Sequence, residues 1–193
     1  MFTTKEKTFL AALALLGVLS YLTDFDYYLA RTLSQRTPHG ISLFFSYQYY
    51  VAYMVFGAAI LYMRNKRAAV SLIVSVALVF LMQFVFTEFA PRPRPPEAMH
   101  IGDSLLSFIQ HTGGMSSFFS GHTGSSIALA TTYMMVGMQP GLAFILALPI
   151  ILSRLLLVQH YLSDIFGGVI AGYVTAKVVY PNLNRAKSPE ASS

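Results

Sequence analysis

The chain has 193 residues, of which 55% are hydrophobic and 11% are charged, and its mean hydropathy is +0.57. Soluble domains carry about a quarter charged residues, so this composition argues strongly against a soluble globular protein. The net charge of +5 does not indicate a nucleic-acid partner, because the basic residues lie in short clusters between apolar stretches, and the absence of cysteine excludes disulfides and thiolate chemistry.

Apolar stretches of about 20 residues, long enough to cross a bilayer, recur along the chain. We predict six membrane spans, at residues 8–23, 41–63, 68–86, 121–138, 141–158 and 160–180. Residues 26–40 mix apolar and charged side chains, which favours a helix lying at the membrane interface. Residues 87–120 are rich in proline and polar side chains and are predicted to form a long loop between the third and fourth spans. Residues 1–180 are thus expected to form one all-helical membrane domain, followed by a polar, disordered tail over residues 181–193.

Six spans place both termini on one side of the membrane, and the positive-inside rule identifies that side. Most basic residues outside the candidate site lie on the terminal side: Lys5, Lys7, Arg64, Lys66, Arg67, Lys177, Arg185 and Lys187. We therefore predict a multi-pass protein of a bacterial cytoplasmic membrane with both termini in the cytoplasm. The candidate site described next would face the periplasm or the exterior.

Ionisable residues inside apolar sequence are costly in a bilayer and therefore point to function. Arg92 and Arg94 alternate with prolines, which hold the backbone extended while the two guanidiniums can bind oxyanions. A second cluster, Ser120-Gly121-His122, stands at the start of the fourth span. Backbone N–H groups and a hydroxyl at a helix start can bind an anion, although serine followed by glycine is also ordinary helix capping.

The third cluster contains Arg154, His160 and Asp164. His160 and Asp164 stand four residues apart, so on a helix the carboxylate can orient the imidazole. Arg154 would lie roughly 120° away on an unbroken helix, so a turn near residues 158–159 is required for it to join them. Together the clusters indicate phosphoryl transfer without metal. A zinc site formed by His122, His160 and Asp164 is the chemical alternative, but the arginines would repel the cation.

These clusters resemble the type 2 phosphatidic acid phosphatase superfamily, whose motifs read Lys-x6-Arg-Pro, Pro-Ser-Gly-His and Ser-Arg-x5-His-x3-Asp. The third motif matches at every fixed position: Ser153, Arg154, His160 and Asp164. In the second motif Phe119 replaces the proline. In the first, Arg94 is present but Thr87 stands where the family has lysine, and pairing by Arg92 instead would place Val85 there.

The resemblance implies a role for each matched residue. His160 would be the nucleophile that forms a phosphohistidine, Asp164 its orienting partner and His122 the general acid. The phosphate would be bound by two guanidiniums and a helix start, from Arg94, Arg154, Ser120 and Gly121. Accessory contacts are expected from three further residues: Arg92, Thr87 and Ser153.

The resemblance also implies an integral-membrane lipid phosphatase that acts on a phosphate monoester or pyrophosphate within the bilayer, with no cofactor and no metal. Lipid A 1-phosphate is the favoured substrate. Phosphatidylglycerophosphate, undecaprenyl pyrophosphate and phosphatidic acid are alternatives, as is a lipid phosphotransferase that passes the phosphoryl group to another acceptor. A non-enzymatic transporter is the alternative from a different class, and the complete Arg–His–Asp set argues against it.

Overall fold

The computed structural model describes residues 2–34, 39–89, 92, 94, 95 and 117–185, and all regular structure in these residues is helical. The helices are α1 (Thr4–Leu22), α2 (Phe25–Ser34), α3 (His39–Phe44), α4 (Tyr50–Arg64), α5 (Lys66–Phe89), α6 (Gly121–Met135), α7 (Pro140–Leu156) and α8 (Leu162–Arg185). A π-helical segment, Phe45–Tyr49, joins α3 to α4. The all-helical prediction agrees with the described residues, whereas most of the predicted loop lies outside them.

The first two helices form a bent pair. A capping box between Thr3 and Glu6 begins α1, whose direction changes by 79° before α2. Asp24 lies at the bend with φ +56°, a left-handed conformation that aspartate adopts more readily than most residues. The first helix overlaps the predicted first span. Of the interfacial helix predicted over residues 26–40, α2 covers the part up to Ser34, residues 35–38 lie outside the described residues, and residues 39–40 begin α3. A location of α2 in the membrane interface stays a prediction.

Three helical segments are long and apolar enough to cross a membrane: Gly40–Arg64, Lys66–Phe89 and Leu162–Leu183. The bent pair α1–α2 would provide a fourth span. The fourth and fifth predicted spans are present as helices, but α6 has only 15 residues and α7 has 17. The described part of the chain therefore shows a helical membrane protein with three to four spans by length, and the count of six stays a prediction.

Side chains are distributed as in a membrane bundle, with large apolar groups outside and small or hydroxylic groups inside. Phe56, Met63 and Phe89 are each at least 70% exposed. The interior of the bundle includes these fully buried hydroxyl residues: Ser75, Ser125, Ser126, Thr131 and Thr132. Lipid is as apolar as leucine, so burial of apolar side chains does not drive helices together in a membrane. Such bundles are held together by close packing and hydrogen bonds.

Helix α6 lies at the centre, packed against α4, α5, α7 and α8. Its contact with α8 depends on glycine: a Cβ on Gly172 would collide with the carbonyl oxygen of Gly124, and one on Gly168 would lie 2.7 Å from the Ser120 carbonyl oxygen. The backbones can approach this closely only because these side chains are absent. The start of α6 and the start of α8, which carry the candidate site, are thereby fixed to each other.

The predicted disorder of the tail from residue 181 is wrong for its first residues, because α8 continues through Pro181 to Arg185. One turn earlier, Lys177 forms an ion pair with Glu6 at 2.6 Å, and the Tyr173 hydroxyl donates to the same carboxylate at 2.5 Å. These contacts anchor α8 to α1, so the loss of one backbone hydrogen bond at proline does not end the helix. Residues 186–193 lie outside the described residues.

Candidate active site

The predicted site residues converge at one end of the bundle. That end is formed where α1, α5 and α7 finish and where α6 and α8 begin. Arg92 and Arg94 follow α5, His122 is the second residue of α6, Arg154 lies in the last turn of α7, and Asp164 lies in the first turn of α8. Clusters that are far apart in sequence therefore meet because helix ends meet.

His160 lies in the turn between α7 and α8, and this turn is the break that the sequence predicted near residues 158–159. The chain reverses there through Val158, whose φ of +54° is unusual for a β-branched residue. His160 is buried, and its Nδ1 lies 2.8 Å from the carbonyl oxygen of Ser117. Since a carbonyl can only accept, Nδ1 carries the proton and Nε2 keeps its lone pair.

Asp164 is adjacent to His160, but it is not the nearest partner of the ring. Its Oδ2 lies 3.8 Å from His160 Nδ1 and accepts a 2.8 Å hydrogen bond from the backbone N–H of Tyr161. Its Oδ1 accepts a 2.8 Å hydrogen bond from Arg92. The predicted His–Asp neighbourhood is present, and the carboxylate is fully buried and held by a backbone and a guanidinium donor.

Burial lowers the pKa of His160 to about 4. Asp164 acts in the opposite direction, and the positive charges of Arg154 and Arg94 lower the pKa further. The imidazole is therefore neutral at neutral pH, which is the protonation state that a nitrogen nucleophile requires.

This pKa predicts the acid limb of the pH profile. As the pH falls through about 4, protonation of Nε2 removes the lone pair, so kcat/KM should stay level down to about pH 5 and decline below it. Steady-state rates across pH measure this, with the ionisation of the substrate phosphate titrated separately by NMR. An enzyme-derived limb near 6.5, the ordinary value for histidine, would contradict it.

Two guanidiniums, that of the buried Arg154 and that of the half-buried Arg94, lie near the histidines. Arg154 donates through Nη1 to the Ser46 hydroxyl, and Arg94 donates weakly to the Gln159 carbonyl at 3.5 Å. The Nε atoms of both arginines are buried without a hydrogen-bond partner, and neither arginine has a carboxylate partner among the described residues. A buried, unpaired cation is costly, so this end of the bundle is suited to an anion.

His122 faces the same region. Its ring lies 4.3 Å from the Tyr50 ring and 6.3 Å from the Tyr47 ring, measured between centroids. It lies within electrostatic reach of His160 and Arg154. The structure thus places the second histidine at the same end as the first.

Ser120 and Gly121 have clear structural roles. Ser120 caps α6 by accepting from the Thr123 backbone N–H at 3.4 Å, and its own N–H donates to the Asp164 carbonyl at 3.1 Å. A Cβ on Gly121 would collide with the Gln83 side chain. These contacts fix the start of α6 beside α8, and phosphate binding by the two residues stays a proposal.

The three accessory residues are hydrogen-bonded to other groups of the protein. Thr87 donates its hydroxyl to the Gln83 carbonyl at 2.9 Å, and Ser153 donates to Ile150 at 2.6 Å, each within its own helix. The two terminal nitrogens of Arg92 donate to carboxylates. The contacts therefore do not support Arg92 as the cation that replaces the motif lysine, because its charge is already paired.

One residue that the sequence analysis did not select is Asp26. This α2 carboxylate, with a side chain only 4% exposed, contacts Arg92 and the start of α8. The available signal was an aspartate directly after an apolar span, which is weak because such residues commonly face solvent.

The zinc ligand set considered above is not assembled. Within the described ranges, no three histidine, aspartate or glutamate side chains come together in a way that could hold a metal ion. His122, His160 and Asp164 share one end of the bundle without forming such a group.

Comparison with known families places the chain. The sequence model of the PAP2 superfamily matches residues 68–188, which is more than half of the chain. The chain belongs to the PAP2 superfamily. This PAP2 protein is accordingly a phosphatase, and the family assignment made from its three clusters is confirmed.

The fold of this PAP2 phosphatase is similar to a solved structure, described as the first transmembrane PAP2 type phosphatidylglycerolphosphate phosphatase from Bacillus subtilis. The TM-score is 0.64 at 18% sequence identity, covering 95% of this chain and 96% of that chain. No curated protein sequence matches. This coverage includes most of α1–α4, which lie outside the family match, so the fold likeness extends beyond residues 68–188.

Proposed function

We propose that this PAP2 phosphatase hydrolyses a lipid phosphate through a phosphohistidine on His160, without metal or cofactor. One observation carries the proposal: the guanidiniums of buried Arg154 and half-buried Arg94, which have no carboxylate partner among the described residues, lie near a buried neutral histidine whose Nδ1 is hydrogen-bonded to the Ser117 carbonyl. The phosphate supplies the negative charge that neutralises Arg94 and Arg154. Nε2 of His160 supplies the lone pair that attacks phosphorus.

The reaction proceeds in two displacements. His122 is protonated when the phosphate anion enters the site beside it. Nε2 of His160 then attacks phosphorus, the bond from phosphorus to the lipid oxygen breaks, and protonated His122 gives its proton to that oxygen. Water then attacks the phosphohistidine while His122 takes a proton from it, which breaks the P–N bond, releases inorganic phosphate and restores both histidines. Arg94 and Arg154 stabilise the phosphoryl oxygens, with Ser120 and Gly121 as further donors from the start of α6.

The substrate class is a lipid because the site belongs to a bundle whose outer surface is apolar. Two head groups come first. Lipid A 1-phosphate is the substrate that the sequence favoured, and phosphatidylglycerophosphate is named in the description of the structurally similar phosphatase. The fold likeness supports phosphatidylglycerophosphate as the substrate and does not exclude lipid A 1-phosphate.

A substrate panel tests the proposal. Purified full-length protein in detergent micelles is given lipid A, phosphatidylglycerophosphate, undecaprenyl pyrophosphate and phosphatidic acid, each with and without a metal chelator, and inorganic phosphate is measured. We expect release from at least one lipid, unchanged by chelator. Loss of activity on chelation would contradict the metal-free mechanism, and phosphate appearing on an added acceptor lipid instead of in solution would identify a phosphotransferase. No turnover of any lipid in the panel would contradict the proposed substrate class.

We further propose that the site faces the exterior of a bacterial cytoplasmic membrane while both termini are cytoplasmic. The helix order supports this orientation, because the basic turn between α4 and α5 and the Lys177–Glu6 pair lie at the end opposite the site. The excess of positive charge at that end is typical of the cytoplasmic side.

The absence of cysteine makes this orientation directly testable. Asp24→Cys introduces a thiol at the site end and Arg67→Cys introduces one at the opposite end, both at exposed positions. In right-side-out vesicles a membrane-impermeant maleimide should label Asp24→Cys and not Arg67→Cys, and both after detergent is added. The reverse labelling would place the site in the cytoplasm.

A further inference from the structure

Asp26 is a buried carboxylate that belongs to none of the three motifs. Its Oδ1 accepts hydrogen bonds from the Ser20 hydroxyl at 2.6 Å and from the Ser163 backbone N–H at 3.1 Å. Its Oδ2 accepts from the Ser163 hydroxyl and, at 2.9 Å, from Arg92. A carboxylate held by this many donors is ordered, and it connects α2 to the start of α8.

Arg92 connects this carboxylate to Asp164. Its Nη2 lies 2.9 Å from Asp26 Oδ2 and its Nη1 lies 2.8 Å from Asp164 Oδ1. The guanidinium carbon lies 4.0 Å from the centroid of the Tyr161 ring and 4.8 Å from that of Tyr21. The two carboxylates and the two rings determine the plane of the guanidinium, so its position is well defined.

These contacts provide hydrogen-bond acceptors for backbone N–H groups at the start of α8. The residue before this helix is Tyr161, which has no short polar side chain to accept from the first free N–H groups. Asp26 accepts from the Ser163 N–H instead, and Asp164 accepts from the Tyr161 N–H. The start of α8 is therefore capped partly from another helix, and His160 directly precedes the cap residue Tyr161.

We propose that Asp26 and Arg92 are positioning residues for catalysis, which hold Asp164 and the first turn of α8 in the arrangement that presents His160 to phosphorus. The inference rests on the proposed function, since it assigns the two residues a part in that reaction. Arg92 acts through Asp164 and not on the phosphate, because both of its terminal nitrogens are engaged by this network. Asp26 acts through Arg92 and through the Ser163 N–H.

The experiment separates positioning from binding. Asp26→Asn keeps a hydrogen-bond acceptor but loses the negative charge. Arg92→Gln removes the guanidinium and its positive charge. Arg92→Lys keeps a positive charge, but an ammonium group can no longer bridge the two carboxylates. Steady-state hydrolysis of dioctanoyl phosphatidic acid is measured for full-length protein, per folded molecule after size-exclusion chromatography. Controls are Asp24→Asn, the same replacement at an exposed position two residues away, Arg67→Gln, and the nucleophile variant His160→Ala.

We expect Asp26→Asn and Arg92→Gln each to lower kcat about 10-fold or more while KM changes less than about threefold. Arg92→Lys should recover part of the lost kcat. The double variant should lose little more than the worse single variant, because the two residues act through one network. Both exposed controls should match the wild type. If Asp26→Asn does not fold, Arg92→Gln and Arg92→Lys still decide the result.

Three outcomes overturn the inference. They are kcat within about twofold of wild type in Arg92→Gln, a loss confined to KM, or a fully additive double variant. Any of these together with an inactive His160→Ala leaves the proposed function standing. Unchanged activity in His160→Ala would instead overturn the proposed function, and with it the positioning role, so the two failures are distinguishable.

Discussion

His160→Ala is expected to reduce phosphate release from a lipid substrate by more than about a thousandfold. The replacement removes the only atom to which the phosphoryl group is transferred in the proposed reaction, so no partial route through the same intermediate remains. Folding should survive, because the residue lies in the turn between α7 and α8, outside both helices. The variant should still bind phosphate through Arg94 and Arg154.

The measurement is single-turnover and steady-state release of inorganic phosphate, with His39→Ala as the matched replacement at the start of α3. Brief acid-free quenching of wild type with radiolabelled substrate should trap label on the protein, and His160→Ala should trap none. A variant that retained wild-type turnover would eliminate His160 as the nucleophile.

Asp164→Asn is the second large effect, with an expected loss in kcat of about 10²–10⁴-fold and little change in KM. The amide has nearly the same shape, but it cannot offset the positive charge that develops on the imidazole when phosphorus is attacked. It also leaves Arg92 with one carboxylate instead of two.

The same variant distinguishes two ways of orienting His160. The carbonyl of Ser117 is nearer to Nδ1, at 2.8 Å, than Asp164 is, at 3.8 Å. A rate unaffected by Asp164→Asn, with Asp24→Asn as the matched control, would mean that the backbone carbonyl alone orients the ring. A large loss would mean that the charge of Asp164 is required as well.

The sequence alone predicted the features that depend on local residue patterns, namely the helices and the turn between α7 and α8. Apolar stretches identified the helices, and the angular offset between Arg154 and His160 required the turn that Val158 makes. The four-residue spacing of His160 and Asp164 predicted that they are neighbours, and they are, although His160 lies in the turn before α8 and not on the helix. These features depend on local sequence pattern, which is a property of neighbouring residues.

What the sequence could not decide depends on which helix ends meet. Arg92 and Arg94 have equivalent proline-rich surroundings, and only the fold shows that Arg92 meets two carboxylates while Arg94 meets none among the described residues. Asp26 lies far from every motif in the chain. Pro181 would normally end a helix, and its tolerance follows from the anchoring of α8 to Glu6 through Lys177.

The hydrogen bond between Asp26 and Ser163 spans 137 residues, and this has a consequence for how the protein is made. Asp26 reaches the membrane early in synthesis, whereas its partner emerges only with the last helix. Until α8 is present the carboxylate has to stay hydrated, so the bend between α1 and α2 cannot adopt its final position against α8. Chains that stop before α8 would leave Asp26 without its Ser163 donors and Arg92 without Asp164. Such fragments should therefore be degraded by membrane proteases faster than the full-length chain, because only the last helix supplies the partners of these two charges.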